Sequence, residues 1–375
     1  MKEIYFDHQA GSPLKKEITQ NFSAWQTRYF SSLTALHEKG YEQIAEVNQN
    51  VKKIYAHFSQ PLDAQLVVCE GRGVYQIYPF LSVYQNHVTK TGKNHFILPL
   101  GEEKELESYF SLYPLGCFVK SVPYNERGEV NLDILEQKLG LRSSLFSFSL
   151  ADELTGVVQP CKQIAEICSH KQVLCHMDGT YFLGHGDLND KLKGIDIFSC
   201  QIVQEWPRCG LIFFDKKLSL TPIPFLDSSF HAPSFLAFAQ QIEMSQKMED
   251  YTCTEVARLR DLFETYIKQN ISDTSILFED SERLPNVSLI GFKDILAEPL
   301  CFELQASRLY ASMGSKNKPL SNALVNRQQK NWALSTLRFS FSAATTEEEI
   351  EEGAQRIVDA VNFLKTKRRQ ISYDH

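Results

Sequence analysis

The sequence lacks the features that mark several common functional classes. No apolar run approaches the roughly 20 residues that a membrane span requires. The first residues, "MKEIYFDHQAGSP", have neither the apolar core of a signal peptide nor the Arg- and Ser-rich character of a transit sequence. The nine cysteines include no C-x-x-C pair, which disfavours a disulfide framework or a zinc site. We therefore expect a cytoplasmic protein that has no contact with a membrane.

The chain also lacks an excess of positive charge, with 39 Lys and Arg against 46 Asp and Glu. The formal net charge is −7, and nucleic-acid-binding proteins usually need a basic face. The basic run "KTKRR" at 365–369 ends a predicted helix, where cations complement the helix dipole. A Gly-x-Ser-x-Gly elbow, a Walker loop and a dinucleotide fingerprint are all missing from the contexts they require. We expect no nucleic-acid partner.

Short apolar runs alternate with longer amphipathic segments through most of the chain, which predicts an α/β fold with a mostly parallel sheet. Seven runs read as strands of that sheet: "AQLVVCE", "HFILPL", "CFVKSVPY", "SLFSFSL", "QVLCHMD", "IDIFSCQ" and "CGLIFF". Helical patterns cover 41–56, 132–139, 161–169 and, at greater length, 234–268. We predict a large domain at 16–260.

A second set of apolar runs, "NVSLIGF", "LCFELQ" and "TLRFSFS", predicts the strands of a smaller α+β domain built from 1–15 and 261–375. The last element begins at "TTEEEIEE", where a Thr is followed three residues later by a Glu, as in a capping box. Apolar residues then recur at helical spacing, so this segment is predicted to be an amphipathic helix that covers the small domain.

Six segments, taken in order, resemble the NifS/IscS-like cysteine desulfurases of the class V aminotransferase family. They are "IYFDHQAGSP", "FSSLTALHEKG", "GEVNLDILEQKL", "TGVVQP", "CHMDGT" and "LRFSFSAATTEEEI", spread over almost the whole chain. The resemblance implies a fold-type I pyridoxal phosphate (PLP) architecture, with a seven-stranded large domain and a small C-terminal domain. It also implies PLP as cofactor and a homodimer.

The resemblance assigns site residues, and most of them depart from the family pattern. Asp178 matches the carboxylate that keeps the pyridine nitrogen protonated. An ungapped alignment from Asp196 places Gln204 at the Schiff-base lysine, Gln201 at the serine and Val203 at the histidine of the same turn. Because a glutamine side chain cannot form an imine, covalent attachment of PLP is not expected at this position.

Positions around the ring and the phosphate depart as well. Val74 stands where the family has the hydroxyl that binds phosphate, although Arg72 could still offer charge. Glu103 replaces the histidine that stacks on the ring, and Tyr181 replaces the glutamine that hydrogen-bonds the ring hydroxyl. The family asparagine before "E-x-G" falls on 152 or 153, at an Asp or a Glu, depending on one gap.

Two further positions concern the substrate. Asn317 or a neighbour stands where the family has its sulfur-accepting cysteine, and no cysteine falls in that loop. Arg338 matches the arginine that clamps the substrate carboxylate, although a surface ion pair is an equal alternative for it. For Asp178 the alternative is a carboxylate that caps the turn after a strand. The segment "PFLDSSFHAPSF" keeps none of the family features that complete the partner subunit's site.

A metal site is a competing interpretation of "CHMDGTYFLGHGD", which contains His176, Asp178, His185 and Asp187. The second pair lies across a glycine-rich turn from the first and no further ligand is evident, so a strand end followed by a loop is favoured.

We therefore predict a class V fold that has lost PLP Schiff-base catalysis and acts as a pseudoenzyme in ligand binding or partner regulation. The alternative is an active PLP-dependent desulfurase or aminotransferase with a non-standard site. A third hypothesis is a structural partner that pairs with itself or with an active homologue.

Overall fold

The computed structural model describes residues 1–13, 15–59, 64–70, 72–109, 111–202, 209–218 and 230–373. Side chains at 72–74, 103, 105, 108, 109 and 368–373 also lie outside the description. Across these ranges, no helix is long and apolar enough to cross a membrane.

The large sheet contains seven described strands, and the predicted α/β fold is confirmed. Its order is β2-β8-β7-β6-β5-β3-β4, with β8 antiparallel to both neighbours and all other pairs parallel. The strands are β2 (Gln65–Glu70), β3 (His95–Pro99), β4 (Phe118–Val122), β5 (Ser143–Ser149), β6 (Leu174–Asp178), β7 (Ile197–Gln201) and β8 (Cys209–Phe214). All seven coincide with predicted runs.

Helices cover both faces of this sheet. Neighbouring residues of its strands are therefore buried on opposite sides. Leu145 of β5 packs in one apolar core and Phe146 in the other, and both are fully buried. The helices up to the end of the large sheet are α1 (Lys16–Arg28), α2 (Glu38–His57), α3 (Arg72–Val83), α4 (Thr89–Thr91), α5 (Glu102–Tyr109), α6 (Leu132–Lys138), α7 (Cys161–His170) and α8 (Leu188–Lys191).

The helical pattern predicted at 234–268 is also confirmed. It forms α9 (Ala232–Tyr251) and α10 (Ala257–Asn270), which are joined by a π-helical turn, Thr252–Val256. The remaining helices are α11 (Ala297–Ala306), α12 (Leu320–Asn326) and α13 (Glu347–Tyr373). At the start of α13 the predicted capping box forms: Glu349 N donates to Thr346 Oγ1 at 3.2 Å and Thr346 N donates to Glu349 Oε2 at 3.2 Å.

A second sheet contains the antiparallel strands β9 (Thr274–Ile276), β10 (Val287–Phe292) and β12 (Thr336–Ser340) in the order β12-β10-β9. The short strands β1 (Ile4–Tyr5) and β11 (Leu309–Tyr310) pair in parallel beside it. Together with α10, α11 and α13 they enclose a separate apolar core. The division into a large domain at 16–260 and a small domain at 1–15 with 261–375 stays a prediction.

One predicted strand is wrong. "LCFELQ" lies within α11, and β9, which the sequence did not indicate, is the third strand instead. Leu300 and Leu304 are fully buried while Phe302 is 64% exposed. Residues four apart share one face of a helix, whereas residues two apart share one face of a strand. The exposed Phe302 therefore agrees with the helical period.

Candidate functional site

Three of the cofactor residues inferred from the sequence, Asp178, Tyr181 and Gln201, lie at the carboxyl edge of the parallel sheet. Asp178 is the last residue of β6, and Gln201 is the last residue of the neighbouring β7. Thr180 Oγ1 accepts a hydrogen bond of 3.1 Å from Gln201 N, and Tyr181 follows in the same turn. Because α/β proteins bind ligands at this edge, the structure brings these residues together at a plausible binding position.

Several assigned residues cannot be placed in the site. Val203 and Gln204 lie outside the described residues. The backbone at Val74 and Glu103 belongs to α3 and α5, but their side chains are outside the description. Their proposed roles stay predictions.

Asp178 accepts hydrogen bonds from its own chain on both carboxylate oxygens. The hydroxyl of Tyr75, from α3, donates to Oδ2 at 2.8 Å, and Thr180 N donates to Oδ1 at 2.8 Å. Tyr75 is only 2% exposed, and its burial, followed by the Asp178 charge, raises the pKa of its hydroxyl well above the usual value. Tyr75 is therefore a protonated donor at neutral pH.

The position of Tyr75 depends on a glycine in the adjacent strand β8. A Cβ atom added at Gly210 would lie 2.3 Å from Tyr75 Cδ2, far inside van der Waals contact. Only a residue without a side chain allows the ring to lie against the strand. The contact between Tyr75 and Asp178 is thus built into the packing of α3 on the sheet.

Arg338, on β12, lies in a buried ion pair. Its Nη2 is 2.7 Å from Asp7 Oδ1 and donates to Ser312 Oγ at 3.2 Å, while Nη1 donates to the carbonyl oxygen of Glu153 at 2.9 Å. The arginine side chain is 3% exposed. The alternative, a surface ion pair, is therefore right about the ion pair and wrong about its position, because the pair is buried. Burial raises the pKa of the Asp7 carboxyl, and Arg338 opposes that rise.

Asp152 forms a second buried ion pair, with Arg327 at the end of α12. Its Oδ1 also accepts bonds from Thr155 N at 2.7 Å and Thr155 Oγ1 at 2.8 Å. The Arg327 guanidinium lies 3.9 Å from the ring centroid of Tyr124. Burial alone would raise the pKa of Asp152, but Arg327 and the Thr155 bonds outweigh it, and the pKa is lowered. Asp152 is therefore ionised at neutral pH.

The loop assigned to the sulfur-accepting residue is attached to the same region. Asn317 is exposed, and its neighbour Lys318 reaches Glu153, with Nζ 2.8 Å from Oε2. Cys301 is the cysteine on nearby α11, and burial, followed by the Asp7 charge, raises the pKa of its thiol. A raised pKa reduces the thiolate fraction on which cysteine reactivity depends.

A cleft of about 260 Å³ lies beside the turn that contains Tyr181 and beside the end of β7. Tyr181 and Gln201 line it, together with the segment after β1, helix α9 and the loop after β12. Lys15 is exposed and also lines the cleft. Its described lining does not include Asp178 or Arg338, so the cleft is adjacent to, rather than centred on, those two residues.

The residues of the competing metal interpretation have other partners. His176 shares hydrogen bonds with Ser147 Oγ at 2.8 Å and Ser199 Oγ at 2.9 Å, and burial lowers its pKa to about 3. Asp187 caps α8 by accepting from Asn189 N at 2.9 Å. Within the described ranges, no group of three or more His, Cys, Asp or Glu residues is placed to hold a metal ion.

Sequence reasoning missed the partners of the assigned residues. The sequence indicates no role for Tyr75, Arg327 or Lys318, and it marks Asp7 only as part of the matched segment "IYFDHQAGSP". A single sequence carries no signal for contacts between residues so far apart. The one available clue was Asp7, an acidic residue directly after an apolar pair at the start of a matched segment.

Comparisons with known proteins agree with this fold. Residues 4–201 match the family model described as aminotransferase class-V. The "Cysteine desulfurase IscS" of Methanosarcina thermophila is 23% identical, covering 99% of this chain and 94% of that protein. The protein of the same name from Dictyoglomus turgidum is 20% identical, covering 98% of each chain.

Solved structures give the same result for the fold. A "NifS-like protein" superposes with a TM-score of 0.85 at 18% identity, covering 96% of this chain and all of the other. A NifS-like protein from Rickettsia africae superposes with a TM-score of 0.82 at 17% identity, over 96% and 100% of the two chains. The family match covers more than half of the residues. This chain therefore belongs to the class V aminotransferase family and is a relative of its NifS/IscS-type cysteine desulfurases.

Proposed function

We propose that this chain is a pseudoenzyme of the cysteine desulfurase type, which performs no PLP Schiff-base catalysis and acts by binding a ligand or regulating a partner. The sequence supports the proposal through Gln204, which the alignment places at the lysine, because an amide cannot form the imine on which PLP chemistry depends. The sequence also supports the proposal through Asn317, because the loop that contains it has no thiol to accept sulfur.

In the structure, the hydrogen bonds of the Arg338 guanidinium are the main support for the proposal. A substrate carboxylate would need two parallel hydrogen bonds from its guanidinium. Both Nη atoms are already bonded to Asp7, Ser312 and Glu153. Releasing them would leave Asp7 as a largely buried carboxylate without its ion-pair partner, which is strongly unfavourable. These bonds support a structural role for Arg338 in this chain, and its Nε is the guanidinium nitrogen without a hydrogen-bond partner among the described residues.

The remaining donor set does not fit PLP as the family is expected to hold it. Asp178 already accepts from Tyr75 and Thr180. Both positions that can align with the family's neutral amide carry a carboxylate in an ion pair, Asp152 with Arg327 and Glu153 with Lys318. We propose that PLP, which the family implies, is not covalently bound.

The second candidate is an active PLP-dependent desulfurase or aminotransferase with a non-standard site. It is favoured by Asp178, which keeps its place at the end of β6, and by Lys15, which lines the cleft beside Tyr181. An amine at the cleft could in principle supply an imine that Gln204 cannot. This candidate requires an adduct on Lys15 or another lysine.

We further propose a cytoplasmic homodimer, or a heterodimer with an active relative, in which residues 16–260 form the large domain and 1–15 with 261–375 the small one. A partner that is regulated by this chain would be an intact cysteine desulfurase. Co-purification with such a relative would support the heterodimer, and a symmetric dimer of this chain alone would support the homodimer.

Titration of the purified chain with PLP tests the proposal, with absorbance recorded before and after desalting. The Gln204→Lys variant is the matched control, since it restores only the missing amine. The proposal expects no visible band in the natural chain after desalting. A retained band in the natural chain, together with formation of alanine and sulfide from cysteine in the presence of a thiol reductant, would instead establish the active candidate as a desulfurase.

A further inference from the structure

An exposed group of aromatic rings lies at the amino end of β4, which ends the strand order of the large sheet. The ring of Phe118, the first residue of β4, packs edge-on against His95 of β3 at 5.8 Å and against Tyr113 at 6.5 Å between ring centroids. Phe118 is 46% exposed and Tyr113 76%, and Leu141, just before β5, is 95% exposed. Apolar side chains that are exposed together are typical of surfaces that bind a partner.

Two cations flank these rings. Lys120 is exposed and lies on the same face of β4 as Phe118, because alternate residues of a strand share a face. Arg142 donates from Nε and Nη2 to Asn94 Oδ1 at 3.2 and 2.9 Å, and its carbonyl oxygen accepts from His95 N at 2.9 Å. Burial, followed by the charges of Lys120 and Arg142, lowers the pKa of His95, so this ring is neutral at pH 7.

The charges on this face have no acidic partners among the described residues. Arg142 donates to an uncharged oxygen, and Lys138 of α6, a third cation, donates to the backbone carbonyl oxygen of Ser121. The described salt bridge of α6 joins Glu136 to Lys171 instead, at 3.3 Å. This part of the surface therefore carries an excess of positive charge, in a chain whose net charge is −7.

The helix that covers this face of the sheet is α6. Ile97, the register partner of Lys120 on β3, packs in the same apolar core as Leu135 of α6. Val119, on the opposite face of β4, packs in the core that contains Leu106 of α5. All side chains of α6 are described, and its remaining acidic residue, Asp133, lies in its first turn, near the carboxyl end of β4.

We propose that an acidic, partly apolar segment of a partner protein docks on this surface, which we call the β4 surface. The β4 surface consists of Tyr113, Phe118, Lys120, Lys138, Leu141 and Arg142. Complementary charges steer a partner and fix its register, while exposed aromatic rings supply the contact area. The proposal rests on the proposed regulatory function, for which it names the chemistry of the partner.

A protein segment fits the β4 surface better than a nucleic acid does. With five residues, β4 is about 16 Å long at roughly 3.3 Å per residue. A nucleic acid carries a phosphate on every nucleotide, so a longer strand would extend from this surface over a chain of net charge −7. A short acidic segment can end where the cations end.

The β4 surface is separate from the candidate site. Phe118 and His95 begin their strands, whereas Asp178 and Gln201 end theirs. Because β3 to β7 run parallel in the sheet, the two groups lie at opposite edges of it. A docked partner would thus leave the cleft open.

The test is fluorescence anisotropy of a labelled twelve-residue peptide of three Glu-Leu-Glu-Gly repeats, titrated with the full chain at low salt. Saturable binding is expected, and the same peptide with Lys in place of Glu should not bind. Lys120→Glu combined with Arg142→Glu should weaken binding by about tenfold or more, since like charges then face the peptide. The matched control, Lys162→Glu with Lys330→Glu, makes the same change at exposed lysines elsewhere and should bind within about twofold of the natural chain.

A second pair of variants tests the aromatic part. Phe118→Ala should weaken binding by about tenfold while the melting temperature stays close to that of the natural chain. Phe302→Ala removes a ring that is 64% exposed on α11, and it should leave binding unchanged.

Absence of saturable peptide binding would overturn the proposal, as would equal losses in the two double variants. Tighter binding of a labelled twelve-nucleotide oligo-dT would identify nucleic acid as the partner class and would also overturn it. Because the titration contains neither PLP nor cysteine, these outcomes are distinct from failure of the PLP test.

Discussion

Replacing Arg327 by methionine should destabilise the protein strongly, because it leaves Asp152 charged and without its partner. The two side chains are 4% and 14% exposed. Removal of one member of a buried ion pair costs about 3–5 kcal/mol of unfolding free energy. With an unfolding entropy of about 2.1 cal/mol/K per residue, a chain of 375 residues would melt about 4–6 °C lower.

The matched control is Arg258→Met, which removes an arginine whose side chain is 49% exposed and which pairs with Glu255 and Glu347. Exposed pairs contribute about 0–1 kcal/mol, so this variant should melt close to the natural chain. The assay is thermal unfolding followed by circular dichroism at pH 7. Equal losses in the two variants would refute the reasoning, because burial would then make no difference to the cost.

Two more predictions concern the same region. In the natural chain the folded-state pKa of Asp152 is lowered, so its stabilisation is present above the unfolded value of about 3.9 and is lost as pH falls through the folded pKa. Asp152→Asn should therefore flatten the acid limb of a stability profile against pH, and an unchanged limb would contradict the assignment. Gly210→Ala should destabilise by about 1–3 kcal/mol through its clash with Tyr75. Tyr75→Leu in that background should recover part of the loss in urea unfolding, and no recovery would show that the strain lies elsewhere.

The strands of the large sheet could be predicted because each is a short apolar run bounded by polar residues. Both faces of this sheet are covered, so a run such as "SLFSFSL" needs no alternation to be recognised. The prediction failed at "LCFELQ", a run of mixed polarity in which the helical period and the strand period compete. The buried Leu300 and Leu304 decide for the helix, and burial is known only from the structure.

The site could be predicted only as positions along the chain. The matched segments located Asp178 and Arg338, and the structure places both at element ends or edges near the cleft. Their partners could not be predicted, because Tyr75 is 103 residues from Asp178 and Asp7 is 331 residues from Arg338. Such contacts decide whether a side chain that matches the family pattern faces a ligand or another side chain.

The most direct test of lost Schiff-base chemistry is the intact mass of the protein after incubation with PLP and reduction with borohydride, followed by peptide mapping. The account predicts no pyridoxyl adduct in stoichiometric yield on any lysine of the natural chain. A stoichiometric adduct that maps to one lysine, such as Lys15 or Lys318, would contradict it and establish a working Schiff-base site.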